Sequence, residues 1–325
     1  MSDPVQFQIR PDLQPDPAEV SFDLDRVLKA VVAVRTEVPQ DAFTAGTLGT
    51  ERRGHGVVIR AGGLVLTIGY LIVEAATAWL VDSAGRAIHA HVVGYDQETG
   101  FGLVQALEPI VAEPIALGRS ADLKVGDPVV FAGAGGRGQA LAAEVAAVRE
   151  FAGYWEYLLD AAIFTTPPHP LWGGGALIGP DGTLRGIGSL FVQEVVPGEK
   201  ARDGNMVVPI DILKPVLDEM VTTGRARRMR RPWLGVFTAE AVGKVVVAGM
   251  WQGGPAENAG LEIGDLILEV DGLPVTGMAA MLRRLWSLGE AGVEVPLVVF
   301  RDRQILEITV RSASRSDFYK APRMH

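Results

Sequence analysis

Few side chains in this sequence could serve as nucleophile, general base or metal ligand. None is a cysteine, so thiolate chemistry and disulfides are both excluded. The five histidines are His55, His89, His91, His169 and His325. His89 and His91 alternate along one apolar run and so share a face of a strand. With no carboxylate pattern beside them they read as surface residues, and neither a metal nor a cofactor is expected. His169 follows Thr166 by three residues, a spacing that permits contact. Contact alone supplies neither an activated hydroxyl nor an oxyanion hole. A second kind of chemistry needs only backbone. Consecutive N–H groups around a glycine, as in Trp233–Leu234–Gly235–Val236, make a nest for a carboxylate, and the adjoining strand edge can pair with an extended peptide.

Short strands must position these groups. Apolar runs separated by glycine, proline and aspartate occur at Ala30–Thr36, Gly56–Ile59, Leu64–Ile68, Ala78–Val81, Ala87–Tyr95 and Phe101–Ala106. They continue at Pro128–Gly133, Ala142–Val148, Ala176–Ile178, Thr183–Leu190 and Asn205–Pro209. That spacing predicts a mainly β, antiparallel sandwich or barrel. Ahead of it, residues 1–22 form an arm rich in proline and aspartate, and a short helix or turn leads into the first strand. Ile210–Thr223 reads as an amphipathic helix that becomes regular late, because Pro215 is tolerated only in a first turn. Gly224 and Pro232 bound a basic linker over residues 224–231, whose arginines read as solvated charges. The expected organisation is thus a first domain over 23–223, the linker, a second domain over 232–312 and a tail over 313–325.

The loop His169–Pro170–Leu171–Trp172–Gly173–Gly174–Gly175–Ala176–Leu177, followed by the turn Pro180–Asp181–Gly182, is rich in glycine and leads towards a strand. Further motifs are Gly54–His55–Gly56–Val57–Val58–Ile59 with Gly62–Thr67, Val92–Val104, Leu117–Asp127 and Met206–Ile210. Together they resemble the trypsin-like protease domain of the HtrA (Deg) family. That family writes its nucleophile loop N-P-G-N-S-G-G-P-L, its base motif T-N-x-H-V and its orienting carboxylate within D-x-x-T-D-L-A. In the resemblance the nucleophile falls on Gly173, the general base on Tyr70 and the aspartate on Gly100. Glycine has no hydroxyl, a phenol of ordinary pKa near ~10 is a poor base at neutral pH, and a second glycine cannot hold an imidazole. Leu171 replaces the glycine whose N–H helps form the oxyanion hole. Trp172 precedes the vacant serine position and is expected to fill the cleft with Tyr70, the other reading being an apolar platform for a partner. Ser120, Ser189 and Asp160 fall on framework positions.

Beyond Pro232 the chain resembles a PDZ domain. Gly253–Gly272 follows the G-S-P-A-x-x-A-G-L-x-x-G-D-x-I-L-x-V-N-G segment almost throughout. Met278–Leu288 supplies the domain's helix, and Val295–Arg301 with Gln304–Val310 forms a closing hairpin. The resemblance implies peptide-binding residues Trp233, Leu234, Gly235 and Val236. Their carboxylate donors are the N–H groups of 234–236, and Ala280, Met281, Arg284 or Leu285 form the groove wall.

The resemblance therefore implies a trypsin-like double β-barrel followed by a PDZ domain, with its catalytic triad lost. The function expected is a peptide- or protein-binding scaffold, chaperone-like factor or regulatory subunit. The alternative is a serine-type endopeptidase working through noncognate residues. Partners expected are peptides or unfolded-protein C termini, copies of the chain itself (a trimer by resemblance, with Phe7 and Phe22 of the arm on a neighbour) and an active paralogue. A net charge of −9 argues against a nucleic-acid binder, and no run approaches the ~20 apolar residues of a membrane helix. The arm lacks a basic and an apolar leader region, so a cytoplasmic location is expected, with a periplasmic one open to a trimmed chain.

Overall fold

The computed structural model describes residues 7–196, 198 and 202–320; the start of the arm and His325 lie outside the described residues. The chain forms two compact units, Met1–Arg149 with Ala161–Ala226 and Lys320–His325, and Glu150–Asp160 with Arg227–Tyr319.

The first unit contains two closed antiparallel barrels of six strands each, as expected from the resemblance. Strands β1 (Val31–Glu37), β2 (Glu51–Arg60), β3 (Leu64–Ile68), β4 (Thr77–Val81), β5 (Ala87–Tyr95) and β6 (Phe101–Ala106) close in the order β1-β2-β3-β6-β5-β4. Strands β7 (Pro128–Ala132), β8 (Ala140–Gly153), β9 (Tyr157–Thr166), β10 (Ala176–Ile178), β11 (Leu184–Val192) and β12 (Gly204–Pro209) close in the order β10-β11-β12-β9-β8-β7. β3 and β12 are buried at every position, so their continuous apolar runs carry no alternation. Phe131, Leu141, Ile163, Leu177 and Val207 fill the second barrel. Each such side chain contributes about 1.5–3 kcal/mol on burial.

Three local features differ from the sequence expectations or refine them. β9 is absent from the runs read as strands, because exposed Asp160 and Ala161 interrupt its apolar pattern. The described arm docks on its own chain: Ile9 is buried among the second barrel's core residues, and its N–H donates to the carbonyl of Gly138 at 2.8 Å. Phe22 lies against Gly182, and Ser21 Oγ donates to the Pro180 carbonyl. Phe7 remains half-exposed. Helix α1 (Leu24–Lys29) enters β1 with Asp23 as its N-cap, and α2 (Ala45–Leu48) is a single turn. After a 3-10 turn at Ile210–Ile212, helix α3 (Leu217–Thr223) begins only after Pro215.

The second unit is built on a sheet of β13 (Val236–Ala241), β14 (Lys244–Met250), β15 (Leu266–Val270), β17 (Glu294–Arg301) and β18 (Gln304–Arg311), with β16 (Leu273–Pro274) paired to β15. Helices α4 (Pro255–Asn258) and α5 (Met278–Ser287) accompany it. Its core gathers Leu234, Val236, Val247, Ile267, Leu282 and Val299. The tip of the β8–β9 hairpin, residues 150–160, belongs to this unit, and its Ala152 and Leu158 pack against the same core. Among the described residues, no helix is long and apolar enough to cross a membrane.

Candidate functional site

Within the first unit the structure brings Tyr70, Gly100 and Gly173 into one neighbourhood. β3 ends in a 3-10 turn at Gly69–Leu71, and Gly69 N–H donates to the carbonyl of Gly100 at 2.7 Å. Tyr70 points away from that bond. Its hydroxyl donates to the Ser189 carbonyl at 2.8 Å, and a Cβ placed on Gly173 would lie 2.8 Å from the Tyr70 hydroxyl oxygen. The phenol therefore occupies the room that a side chain at 173 would need. Burial pushes the Tyr70 phenol above its ordinary value, further from any role as a base at neutral pH. Gly100 closes the turn from Asp96 with φ 80° and offers no side chain to an imidazole.

The neighbouring imidazoles are also committed. The His55 backbone N–H donates to the Gly173 carbonyl at 2.8 Å, and its ring Nδ1 accepts from Ala134 N–H at 3.0 Å. A neutral ring with Nδ1 accepting carries its proton on Nε2. Burial, helped by nearby His169, pushes His55 down to about 4, so it is neutral at pH 7. His169 is fully buried and stacks on Phe131; Nδ1 accepts from Leu171 N–H at 3.1 Å and Nε2 faces the Gln139 carbonyl at 3.2 Å. Both nitrogens are used as a neutral imidazole would use them, and the Leu171 N–H is drawn to the ring instead of towards a substrate oxygen. Thr166 Oγ1 donates to the Asp203 carbonyl and not to His169. Trp172 meets Phe191, with ring centroids 5.8 Å apart, and packs on the second barrel's core; it makes no ring contact with Tyr70, so the expected paired aromatic plug is Tyr70 alone. Ser120 donates to Asp211 at 2.8 Å, a framework contact. His89 and His91 are exposed on β5, and among the described residues no cluster of three or more acidic or histidine side chains could hold a metal.

The second unit carries the nest, and it is filled. Gly235 adopts φ 80°, which turns successive N–H groups inward. They donate to one carboxylate, that of Glu156: Leu234 N–H to Oε2 at 3.0 Å, and Gly235 and Val236 N–H to Oε1 at 2.7 and 3.1 Å. Burial pushes the Glu156 carboxyl up to about 7, against the pull of the three amides and of Arg315. Trp233 is buried, pairs through its backbone with Ala313 and packs edge-on against Phe318, so it frames the loop without donating to the anion. Of the residues expected at the groove wall, Met281 and Leu285 are buried in the unit's core and Ala280 is exposed. No local sequence signal marks Glu156, since its partners lie 78–80 residues away.

Comparison with known proteins agrees with both units. Residues 54–187 match the trypsin-like peptidase domain, and residues 232–311 match the PDZ domain. The chain's relatives are HtrA-type proteins. The chain is 27% identical over 295 residues to serine protease PepD of Mycobacterium tuberculosis, covering 83% of this chain and 61% of that protein. It is 30% identical over 281 residues to a probable periplasmic serine endoprotease DegP-like of Pseudomonas fluorescens, covering 81% and 57%. Against the periplasmic pH-dependent serine endoprotease DegQ of Escherichia coli it is 26% identical over 315 residues, covering 88% and 68%. The chain thus spans about six tenths of the length of the curated relatives it matches. Among solved structures it shares the fold of the HtrA-type protease AlgW with decapeptide, at TM-score 0.53 and 21% identity over 90% of this chain and 97% of that one. The serine endoprotease from Yersinia pestis gives TM-score 0.52 and 21% identity over 91% and 99%.

Proposed function

We propose that this HtrA-type chain is a noncatalytic, peptide-binding pseudoprotease. The observation that carries the reading is the Tyr70 hydroxyl, 2.8 Å from where a Cβ on Gly173 would stand and bonded to the Ser189 carbonyl. With Gly173 as the residue at the family's nucleophile position, no hydroxyl is available there, and the phenol fills the space. The Leu171 N–H, at the family's oxyanion-hole position, is bonded to His169. A serine endopeptidase acting through noncognate residues has no support from Thr166 and His169, whose side-chain polar atoms are engaged, or from His55, whose Nδ1 is occupied. Peptide recognition falls to the PDZ domain, where Leu234, Gly235 and Val236 present their N–H groups to a carboxylate. A structural relative named as an HtrA-type protease with decapeptide is in keeping with that role. The partners in this reading are C termini of peptides or unfolded chains, copies of the chain itself, and a catalytically active paralogue.

Purified protein is expected to show no turnover of casein and no labelling by a fluorophosphonate. Stoichiometric labelling at any serine overturns the reading. Sedimentation at micromolar concentration separates a self-assembling scaffold, expected as a trimer, from a monomer that works by joining another protease.

A further inference from the structure

We propose that the β8–β9 hairpin tip is the resident ligand of the PDZ groove, with the Glu156 side chain in place of a peptide's C-terminal carboxylate. The inference rests on the peptide-binding reading above and adds what that site must release before it can bind.

Two independent contacts reproduce the two halves of peptide recognition. The first is the carboxylate in the nest, held by three backbone N–H groups. The second is a backbone bond to the sheet's edge strand: Thr238 N–H on β13 donates to the Tyr154 carbonyl at 2.9 Å. Tyr154 lies two residues before Glu156, and Thr238 two residues after Val236. The tip, a turn at Tyr154–Glu156, thus meets β13 in the antiparallel sense with its carboxylate at the loop, as the end of a bound peptide would. Side chains complete the fit. Tyr154 meets Phe237 at a centroid distance of 6.0 Å, and Arg315 donates to the Trp155 carbonyl at 3.2 Å. On the other side Arg283 of α5 pairs with both Glu150 and Asp160 of the hairpin.

The tip also bears a mark of being shaped for this contact. Glu156 adopts φ 61°, a left-handed conformation that a glutamate enters at a cost, and it is 8% exposed. A buried carboxylate is retained only where donors compensate its lost hydration, and here the nest supplies them. An external peptide must offer a carboxylate and a strand at once, because both subsites are filled. As the occupant is tethered, its effective concentration is high, and a free peptide competes against it at a disadvantage.

The test uses the full chain and two variants. Glu156→Gly removes the carboxylate and suits the left-handed backbone; Glu156→Gln keeps the shape and one acceptor oxygen without the charge. A fluorescein-labelled peptide ending in a free-acid valine is titrated by polarisation, with its amidated form beside it. Amide hydrogen exchange is followed at Leu234, Gly235 and Val236. The expected result is that Glu156→Gly binds the free-acid peptide at least tenfold tighter than the natural chain, that Glu156→Gln falls between, and that exchange at the three amides speeds up in the unliganded Glu156→Gly protein. Equal, measurable affinities in the natural chain and Glu156→Gly overturn the proposal, as does unchanged exchange. Accelerated exchange with no peptide bound by any of the proteins upholds the tip as occupant and overturns the peptide-binding reading instead.

Discussion

Gly173→Ser is expected to yield a folded protein that hydrolyses nothing and is less stable by about 1–3 kcal/mol, the usual cost of adding atoms to a filled site. The new Cβ would lie 2.8 Å from the Tyr70 hydroxyl, inside normal contact, and the phenol cannot swing away without giving up its bond to the Ser189 carbonyl. A serine at 173 would find no base: His55 is neutral with Nδ1 occupied, and His169 has both nitrogens engaged. Tyr70→Phe separates the steric cause from others. It removes the hydroxyl and by itself costs about 1–3 kcal/mol if the Ser189 carbonyl is left unpaired. In that background Gly173→Ser is expected to cost less than half as much, a coupling of about 1 kcal/mol between residues in contact. Urea unfolding of the four proteins measures the cycle. Additive effects place the strain elsewhere, and casein hydrolysis by the single Gly173→Ser variant means that a functioning base lies nearby.

Much of the fold was legible because its signals are local. Alternating or continuous apolar runs between turn residues marked eleven of the twelve barrel strands. β9 escaped because Asp160 and Ala161 face outward together and break the period on which the reading depends. The degenerate centre was legible only through resemblance: nothing in the type of Tyr70, Gly100 or Gly173 says that they converge, and it is the turn after β3 that delivers Tyr70 to Gly173. What composition could not convey is direction. The Trp172 ring turned to Phe191 instead of Tyr70, and the Leu171 N–H turned to His169. The nest was legible as a carboxylate site, since a glycine with flanking amides is a local pattern. Its occupant was not, because an anion supplied from a hairpin 78 residues upstream leaves no trace beside the loop.

Arg301→Ala is expected to destabilise the PDZ unit by about 3–5 kcal/mol, the cost of stranding a buried charge. Asp265, the aspartate of the Gly264–Asp265 step, is fully buried, and Arg301 grips it from the end of β17 through Nε and Nη2 at 2.6 and 2.5 Å. Glu262 N–H donates to the same carboxylate at 2.9 Å, and Arg301 also reaches the Gly260 carbonyl. The pair therefore ties the 260–265 loop to the end of β17, whereas the outer contact of Arg301 with exposed Glu262 adds little. Burial alone would raise the Asp265 carboxyl. Arg301 and the amide outweigh it and hold the group below its ordinary 3.8. A carboxyl depressed by folding contributes its full stability above the unfolded value and loses it as pH falls through the folded one. Acid unfolding of the natural PDZ unit should therefore steepen below pH 3.8, and Arg301→Ala should lose that dependence along with its stability. Replacing both partners, Arg301→Met with Asp265→Leu, should recover most of the loss, because neither charge then remains buried without its counterpart. Urea unfolding of the full chain, read at the tryptophans, measures all three. A cost below about 1 kcal/mol for Arg301→Ala would mean that water or another cation replaces the guanidinium, and that the pair acts as a surface contact would.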